Sequence, residues 1–196
     1  MNKTTFYQKQ KVLLVISFTF LILSSFIYLP NNDEYILLNK IIEKIKNNNP
    51  NKSIILEKSN NNNYVISVLN QLNTFEKSKN NEKLDSLKNE LGIENNEIFN
   101  SIFNENEYQY LINQKSNSKW NFDKISGKMN SSNLKNKVNL YVSKPIYTKK
   151  ADFALIYINN KKTSCIVIYE KKIKGWYEYK ILSPLLISAK AKLITN

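Results

Sequence analysis

Residues 153–169 read FALIYINNKKTSCIVIY, two apolar runs joined by a short polar segment. The first run, Phe153 to Ile158, is apolar at consecutive positions, which is typical of a central strand buried on both faces. The second run, Cys165 to Tyr169, follows so closely that the two strands can only be antiparallel neighbours. We therefore expect this stretch to form the centre of an antiparallel sheet.

The predicted sheet extends to both sides of this centre. Upstream, Val138, Leu140 and Val142 recur at every second position, as in a strand with one buried face. Downstream, Trp176 to Leu182 follows a lysine-bearing turn. The sequence therefore predicts an antiparallel meander of about four strands, a typical sheet size, over residues 138–187.

Before the sheet, over residues 34–115, apolar residues recur mainly at helical spacing. The first amphipathic helix ends at the breaker run 47–50, and its apolar positions are Tyr35, Leu38, Ile41, Ile42 and Ile45. A short apolar piece, Ser53 to Glu57, fits a strand. The segment Tyr64 to Phe75 fits a helix or a strand, and its length favours a helix.

Shorter helices complete this region. Leu84, Leu87 and Leu91 share one face before Gly92, which stands at a C-terminal cap position. A second apolar stripe consists of Ile98, Phe99, Ile102 and Phe103. Asn104 and Glu107 are spaced as a capping box that opens the last helix. Helices first and sheet last predict an α+β domain.

A different signal occupies the N-terminal part of the chain. Val12 to Leu29 is an apolar run without a charge, long enough as a helix to match a bilayer. Lysines precede it and acidic residues follow it, so the positive-inside rule places the N-terminus in the cytoplasm. We predict a single-pass protein of the cell membrane, with cytoplasmic residues 1–11, a transmembrane anchor at 12–29 and one extracytoplasmic domain over 30–196.

Two other interpretations of this run remain open. A cleaved signal peptide has a shorter apolar core and a small-residue cleavage site, whereas Ser24 and Ser25 are followed by Phe26 to Leu29. A buried helix of a soluble protein is usually amphipathic, and this run has few polar positions. The uncleaved anchor is the interpretation that we favour.

The net charge of +13 and the pI near 9.6 would ordinarily indicate nucleic acid or an anionic membrane as a partner. Every basic residue is a lysine, however, and asparagine runs occur at 47–49 and 60–63, so both enrichments indicate a compositional bias. Arginine is the side chain best suited to phosphates and base edges. We expect no nucleic-acid partner.

The chain contains no histidine, which removes the usual general base near neutral pH and the commonest metal ligand. Its single cysteine, Cys165, cannot form an internal disulfide and fits a buried strand interior better than a reactive thiol. A carboxylate pair, a Ser-Lys pair or a tyrosine remains. The candidates are Ser116 with Lys119, Ser132 with Lys135, and the acidic residues Glu94, Glu97, Glu105 and Glu107.

Simpler explanations cover these candidates. S-x-x-K matches arise by chance in a chain rich in serine and lysine, and acidic residues at helix N-termini stabilise the helix dipole. Four aromatic residues that could line a ligand pocket are more often core residues: Tyr108, Tyr110, Trp120 and Phe122. We therefore expect no catalytic, cofactor-binding or metal-binding residue, and no enzyme activity.

Several stretches of the C-terminal half follow a shared pattern. Ser143 to Thr148 is a Ser-x-Pro-Ile-aromatic segment, Ala154 to Tyr157 is an Ala-x-Ile strand, and Lys171, Lys172, Gly175 and Trp176 stand where a Lys-x-x-Gly-x-Trp hairpin is expected. Upstream, Phe103 to Tyr108 precedes Gln114 and Trp120. Over residues 100–185 the chain resembles uncharacterised exported proteins of Bacteroidota. The resemblance implies a fold and an export route, and no activity.

Paired lysines fall at predicted turns or strand ends: Lys149-Lys150, Lys161-Lys162 and Lys171-Lys172. If they share one end of the sheet, they would bind the anionic surface of the membrane. Solubility and protection of strand edges are the simpler explanation.

The sequence predicts the lipid bilayer around residues 12–29 as a partner, with the anionic membrane surface as a further possibility for the turn lysines. It identifies no protein partner. It predicts a membrane-anchored extracytoplasmic binding or envelope-structural module without catalysis. One alternative is an exported enzyme that uses carboxylates or a Ser-Lys pair. Another is an anchored protein whose first helix, Tyr35 to Ile45, docks a partner through an exposed apolar stripe.

Overall fold

The computed structural model describes residues 31–94, 96–125, 137–160 and 163–182. The chain divides into two units, Met1–Asp33 and Glu34–Asn196, and the elements below belong to the second, apart from the first residues of one helix. Within the described residues, no helix is both long enough and apolar enough to cross a bilayer. The predicted anchor at 12–29 lies outside them.

One mixed sheet of six strands forms the middle of the described part. The strands are β1 (Ser53–Leu56), β2 (Lys137–Val142), β3 (Ile146–Tyr147), β4 (Phe153–Asn159), β5 (Ser164–Lys172) and β6 (Gly175–Leu182). Their order is β1-β2-β4-β5-β6, and β3 pairs with β4. Strands β2, β4, β5 and β6 are antiparallel neighbours, which confirms the predicted meander.

The prediction of a purely antiparallel sheet is wrong at one edge, where β1 pairs with β2 in parallel. The sequence indicated a strand at Ser53 to Glu57 but no partner for it. A parallel pair needs a long crossover connection, and the segment between β1 and β2 contains four helices. Reasoning from short connections between neighbouring strands could not find this pairing.

Five α-helices lie in the described residues. They are α1 (Asn31–Asn48), α2 (Asn63–Lys77), α3 (Asn81–Leu91), α4 (Glu97–Ile102) and α5 (Glu105–Ile112), followed by a 3₁₀ turn at Phe122–Lys124. The helical interpretation of Tyr64 to Phe75 is therefore confirmed, as is the first amphipathic helix, which begins before Tyr35.

Asparagine side chains cap three of these helices. The Oδ1 atoms of Asn80, Asn96 and Asn104 accept hydrogen bonds from the backbone N–H three residues later, at 3.2, 3.0 and 3.1 Å. Each bond satisfies an N–H group that has no partner inside the helix. Gly92, with a φ of 70°, ends α3 in the left-handed conformation, as predicted.

The sheet is covered on both faces. Helix α1 lies on one face, with Leu37, Leu38 and Ile41 buried against the sheet. Helices α2 to α5 contribute the second apolar cluster, on the opposite face. Alternate residues of β4 enter the two clusters, for example Leu155 on the α2–α5 side and Ile156 on the α1 side. This confirms that β4 is a central strand with two buried faces.

A substitution in this strand tests how much the fold depends on it. Because Ile156 is buried in the α1-side cluster, Ile156→Ala should lower the free energy of unfolding by about 2–5 kcal/mol. Ile55, in the edge strand β1, is 38% exposed, so Ile55→Ala is the control and should cost about 1 kcal/mol or less. Urea unfolding of the full chain in mild detergent, followed by circular dichroism, measures both. Equal losses would contradict the central place of β4.

Candidate functional site

A groove lined by polar residues lies between the C-terminal half of α1 and strands β5 and β6. Its volume is about 450 Å³, within the range usual for small-molecule sites. The lining residues are Lys40, Glu43, Lys44, Asn47, Asn48, Tyr169 and Glu178. We call this feature the α1 groove.

Two lysines of α1 connect the walls of the α1 groove. Lys44 forms an ion pair with Glu178 of β6, and the Lys40 ammonium donates a hydrogen bond to the backbone oxygen of Trp176. The Lys40 Nζ also lies 4.6 Å from the centre of the Tyr177 ring, a cation–π distance. The lysine charges are therefore already engaged within the chain, and the lining carries as many carboxylates as lysines.

Tyr169 forms the buried side of the groove. It is 2% exposed, and burial, with the Glu178 carboxylate next in effect, raises the pKa of its phenol. The hydroxyl therefore stays protonated at neutral pH. The groove offers donors and acceptors with balanced charge, which suits the binding of a small polar ligand.

Cys165 lies on the same strand as Tyr169 and packs at the margin of the α1-side cluster. Burial raises the pKa of its thiol, the Glu178 carboxylate adds to the increase, and Lys44 opposes it. A thiol with a raised pKa carries little of the nucleophilic thiolate. The side chain is only partly buried, whereas the sequence predicted a buried strand interior.

The acidic cluster named from the sequence is dispersed in the fold. Glu94 pairs with Lys180 of β6, and Glu97 and Glu105 stand in the first turns of α4 and α5. The Glu107 carboxylate accepts a hydrogen bond from the backbone N–H of Lys149 at 3.2 Å. Within the described residues, no group of three or more Cys, Asp or Glu is placed to hold a metal ion.

Of the two Ser-Lys candidates, the structure describes Ser116 with Lys119. Ser116 Oγ lies 3.1 Å from Ser118 Oγ, and Lys119 forms an isolated antiparallel bridge with Ser59. Ser132 and Lys135 lie outside the described residues. The segment that carries Ser116 and Lys119 therefore runs antiparallel to the segment at Ser59.

The four aromatic candidates divide into two groups. Tyr108 and Trp120 are buried, at 0% and 2% exposure, as expected for core residues, whereas Tyr110 and Phe122 are about two-fifths exposed, at 41% and 42%. The Trp120 indole N–H donates to the Val142 carbonyl at 2.9 Å. Burial and the Glu76 carboxylate raise the pKa of Tyr108. The four rings do not form one pocket lining.

A buried amide network was missed in the sequence. Asn60 and Asn62 belong to the run that we attributed to compositional bias, and both are 0% exposed. Asn62 Nδ2 donates to the Gln114 carbonyl at 2.9 Å, and Asn62 Oδ1 accepts from the Ser116 N–H at 2.8 Å. One side chain thus ties the segment before α2 to the segment after α5.

Gln114 extends this network to the sheet. Its amide donates to the Tyr147 carbonyl at 2.6 Å and accepts from the Tyr147 N–H at 2.9 Å. The Lys144 N–H donates to the Asn60 carbonyl at 2.7 Å, at the point where Pro145, which lacks an N–H, separates β2 from β3. The sequence offered no sign of this network, because Asn60 and Asn62 stand in a run of asparagines that we attributed to compositional bias.

Comparisons with known proteins gave no match of significance: no family model, no curated protein and no solved structure matches this chain.

The amide network generates one prediction. Asn62→Ala would leave the part-buried N–H of Ser116 and the part-buried carbonyl of Gln114 without their partner, and an unpaired polar group costs up to about 3 kcal/mol when it is fully buried. We expect thermal unfolding to shift to clearly lower temperature. Asn61→Ala is the matched control, since the Asn61 side chain makes only an exposed contact with Ser59 at 3.5 Å. Similar melting temperatures for the two variants would contradict a structural role for Asn62.

A second prediction concerns the thiol. Because burial and Glu178 raise the pKa of Cys165, the rise of its alkylation rate with pH should occur at higher pH in the folded protein than in urea. Glu178→Gln removes one cause of the raised pKa and should move the profile of the folded protein to lower pH. Glu170→Gln is the control, because Glu170 pairs with Lys172, and it should leave the profile unchanged. Iodoacetamide modification followed by mass spectrometry measures the profiles. Coincident folded and unfolded profiles would contradict the shift.

Proposed function

We propose that this protein is a single-pass membrane protein whose extracytoplasmic α+β domain acts as a non-catalytic binding or envelope-structural module. The observation that carries the proposal is the uncharged apolar run Val12 to Leu29, with lysines before it and Asp33 and Glu34 after it. The resemblance of residues 100–185 to exported proteins of Bacteroidota supports the same location.

The α1 groove supports a binding role. Its lining pairs each lysine with a group of the same chain, Lys44 with Glu178 and Lys40 with the Trp176 carbonyl. Balanced charge favours a small polar ligand without net charge over a phosphate or another strong anion.

An exported enzyme that uses carboxylates is the second candidate, because Glu43 and Glu178 line one groove. Glu178 is already paired with Lys44, so its carboxylate is engaged within the chain, whereas general acid–base catalysis needs a carboxyl group that reaches the substrate. The tyrosine in this groove, Tyr169, does not supply a base at neutral pH, because burial raises the pKa of its phenol and keeps it protonated. If the protein hydrolyses a chromogenic glycoside or ester, and Glu43→Gln abolishes this activity, the result would favour the enzyme hypothesis.

The third alternative, in which the first helix docks another protein, has less support. The apolar stripe of α1 contains Leu37, Leu38 and Ile41, which this chain's own sheet buries. Ile36, on the other side of the helix, is half exposed, and one exposed apolar residue is ordinary on a protein surface. A partner-binding helix would need a larger free patch.

Membrane insertion and topology test the proposal. We expect the full chain to remain with membranes after alkaline carbonate extraction, and protease added to intact spheroplasts to digest the domain. Leu21→Lys with Leu23→Lys should release the protein, because each lysine at the centre of a span costs about 2.5–3.5 kcal/mol. Leu21→Ala with Leu23→Ala is the control and should leave it in the membrane. A wild-type chain in the soluble cytosolic fraction would overturn the proposal.

A further inference from the structure

The turn between β5 and β6 protrudes at one end of the sheet. Strand β5 ends at Lys172, β6 begins at Gly175, and Ile173 and Lys174 form the tip between them. Gly175 has a φ of 119°, which an L side chain rarely adopts, so the glycine is required by this turn. The hairpin geometry is thus set by Gly175, and the residues at the tip are free to serve another purpose.

Ile173 is the unusual residue of this tip. Its exposure of 106% means that its side chain is as open to water as in an extended peptide. Exposed turn positions favour glycine, proline, asparagine, aspartate and serine, and a β-branched apolar residue gains nothing there from packing. Folding of this domain therefore does not account for an isoleucine at the tip.

Two lysines flank this isoleucine in the sequence, and three others lie at the same end of the sheet. Among these three, the Lys149 ammonium donates a hydrogen bond to the Asn106 carbonyl at 2.6 Å, and the Lys171 Nζ lies 5.5 Å from the centre of the Trp176 ring. Lys171, Lys172 and Lys174 belong to the hairpin, and Lys149 and Lys150 belong to the turn between β3 and β4. The two turns lie at the same end of the sheet, because Phe153 pairs with Glu170 and the Lys171 N–H donates to the Asp152 carbonyl at 2.7 Å. Of the predicted lysine pairs, two therefore share an end; Lys161-Lys162 lies outside the described residues.

Few negative charges offset these lysines. Glu170 pairs with Lys172 at 3.0 Å, and the Asp152 carboxylate accepts a hydrogen bond from the Thr148 hydroxyl. The Glu107 carboxylate, which accepts a hydrogen bond from the Lys149 N–H at 3.2 Å, is a third negative group here. Five lysines against these three carboxylates leave this end of the sheet positive. We call the hairpin tip and the β3–β4 turn together the basic end.

We propose that the basic end docks on the anionic surface of the bilayer that anchors the protein, with the Ile173 side chain entering the headgroup layer and the lysines contacting lipid phosphates. The inference rests on the proposed membrane anchor. An apolar residue between cations matches the interface of an anionic membrane, where an apolar layer lies beneath negative charge. An acidic protein would be served by the lysines alone and would leave Ile173 unexplained.

The test uses the full chain reconstituted into vesicles of phosphatidylcholine, with or without phosphatidylglycerol. An environment-sensitive fluorophore is attached to Ile173→Cys in a Cys165→Ser background, and the same label at Ile55→Cys is the positional control. We expect a blue shift at position 173 only when phosphatidylglycerol is present, and no shift at position 55. The shift should weaken as salt is added, because screening reduces the attraction.

Lysine variants test the charge requirement. Each of Lys171→Gln, Lys172→Gln and Lys174→Gln should lower the ratio of docked to undocked hairpins about fivefold. The matched controls are single substitutions of exposed lysines on α2, on α3 and in the turn between them: Lys77→Gln, Lys79→Gln and Lys83→Gln. Equal effects of the hairpin and control variants would overturn the proposal, because general net charge would then be sufficient.

Flotation of the vesicles separates this inference from the proposed function. A wild-type chain that fails to float with either vesicle contradicts the anchor itself. A chain that floats with both vesicles, but shows no blue shift at position 173 with phosphatidylglycerol, overturns only the docking of the basic end. A shift of the same size in phosphatidylcholine alone overturns the role of anionic lipid.

Discussion

Burial of the β4–β5 pair on both faces is the constraint on which the described structure depends. Alternate residues of these strands must be covered by two separate apolar layers, because each exposed aliphatic side chain would lose about 1.5–3 kcal/mol of transfer free energy. Helix α1 supplies one layer and α2 to α5 supply the other. The position of α1 across β5 and β6 follows from this requirement, and so does the α1 groove at its C-terminal half.

The polar features of the domain follow from how this layering is connected. Irregular segments before α2 and after α5 have to run beside the broken edge at Pro145, where the sheet ladder cannot satisfy every backbone group. The side chains of Asn62 and Gln114 and the backbone carbonyl of Asn60 supply hydrogen bonds there. Most buried polar groups in proteins are paired, and the Asn60 Nδ2 atom is an exception within the described residues. At the opposite extreme of exposure, Ile173 at the hairpin tip has no packing role.

Most secondary structure was predictable, because apolar periodicity is a local property of consecutive residues. The strand at Phe153 to Ile158, the helix at Tyr64 to Phe75 and the cap at Gly92 all follow from positions close in sequence. The parallel partner of β1 was not predictable, since it pairs across a long helical crossover. The α1 groove also escaped, because it joins Lys40 and Lys44 to Glu178, which is remote in sequence.

The sequence alone determined the α+β class, the antiparallel centre of the sheet and the absence of histidine chemistry, because each depends on residue type and local spacing. Tertiary structure decided which asparagines are structural, which acids are paired and which lysines share an end. The physical reason is that identical side chains acquire different free energies from burial and from their neighbours. Asn61 and Asn62 are adjacent and chemically identical, yet Asn62 is fully buried and its side chain bonds across the fold, whereas the Asn61 side chain contacts the nearby Ser59.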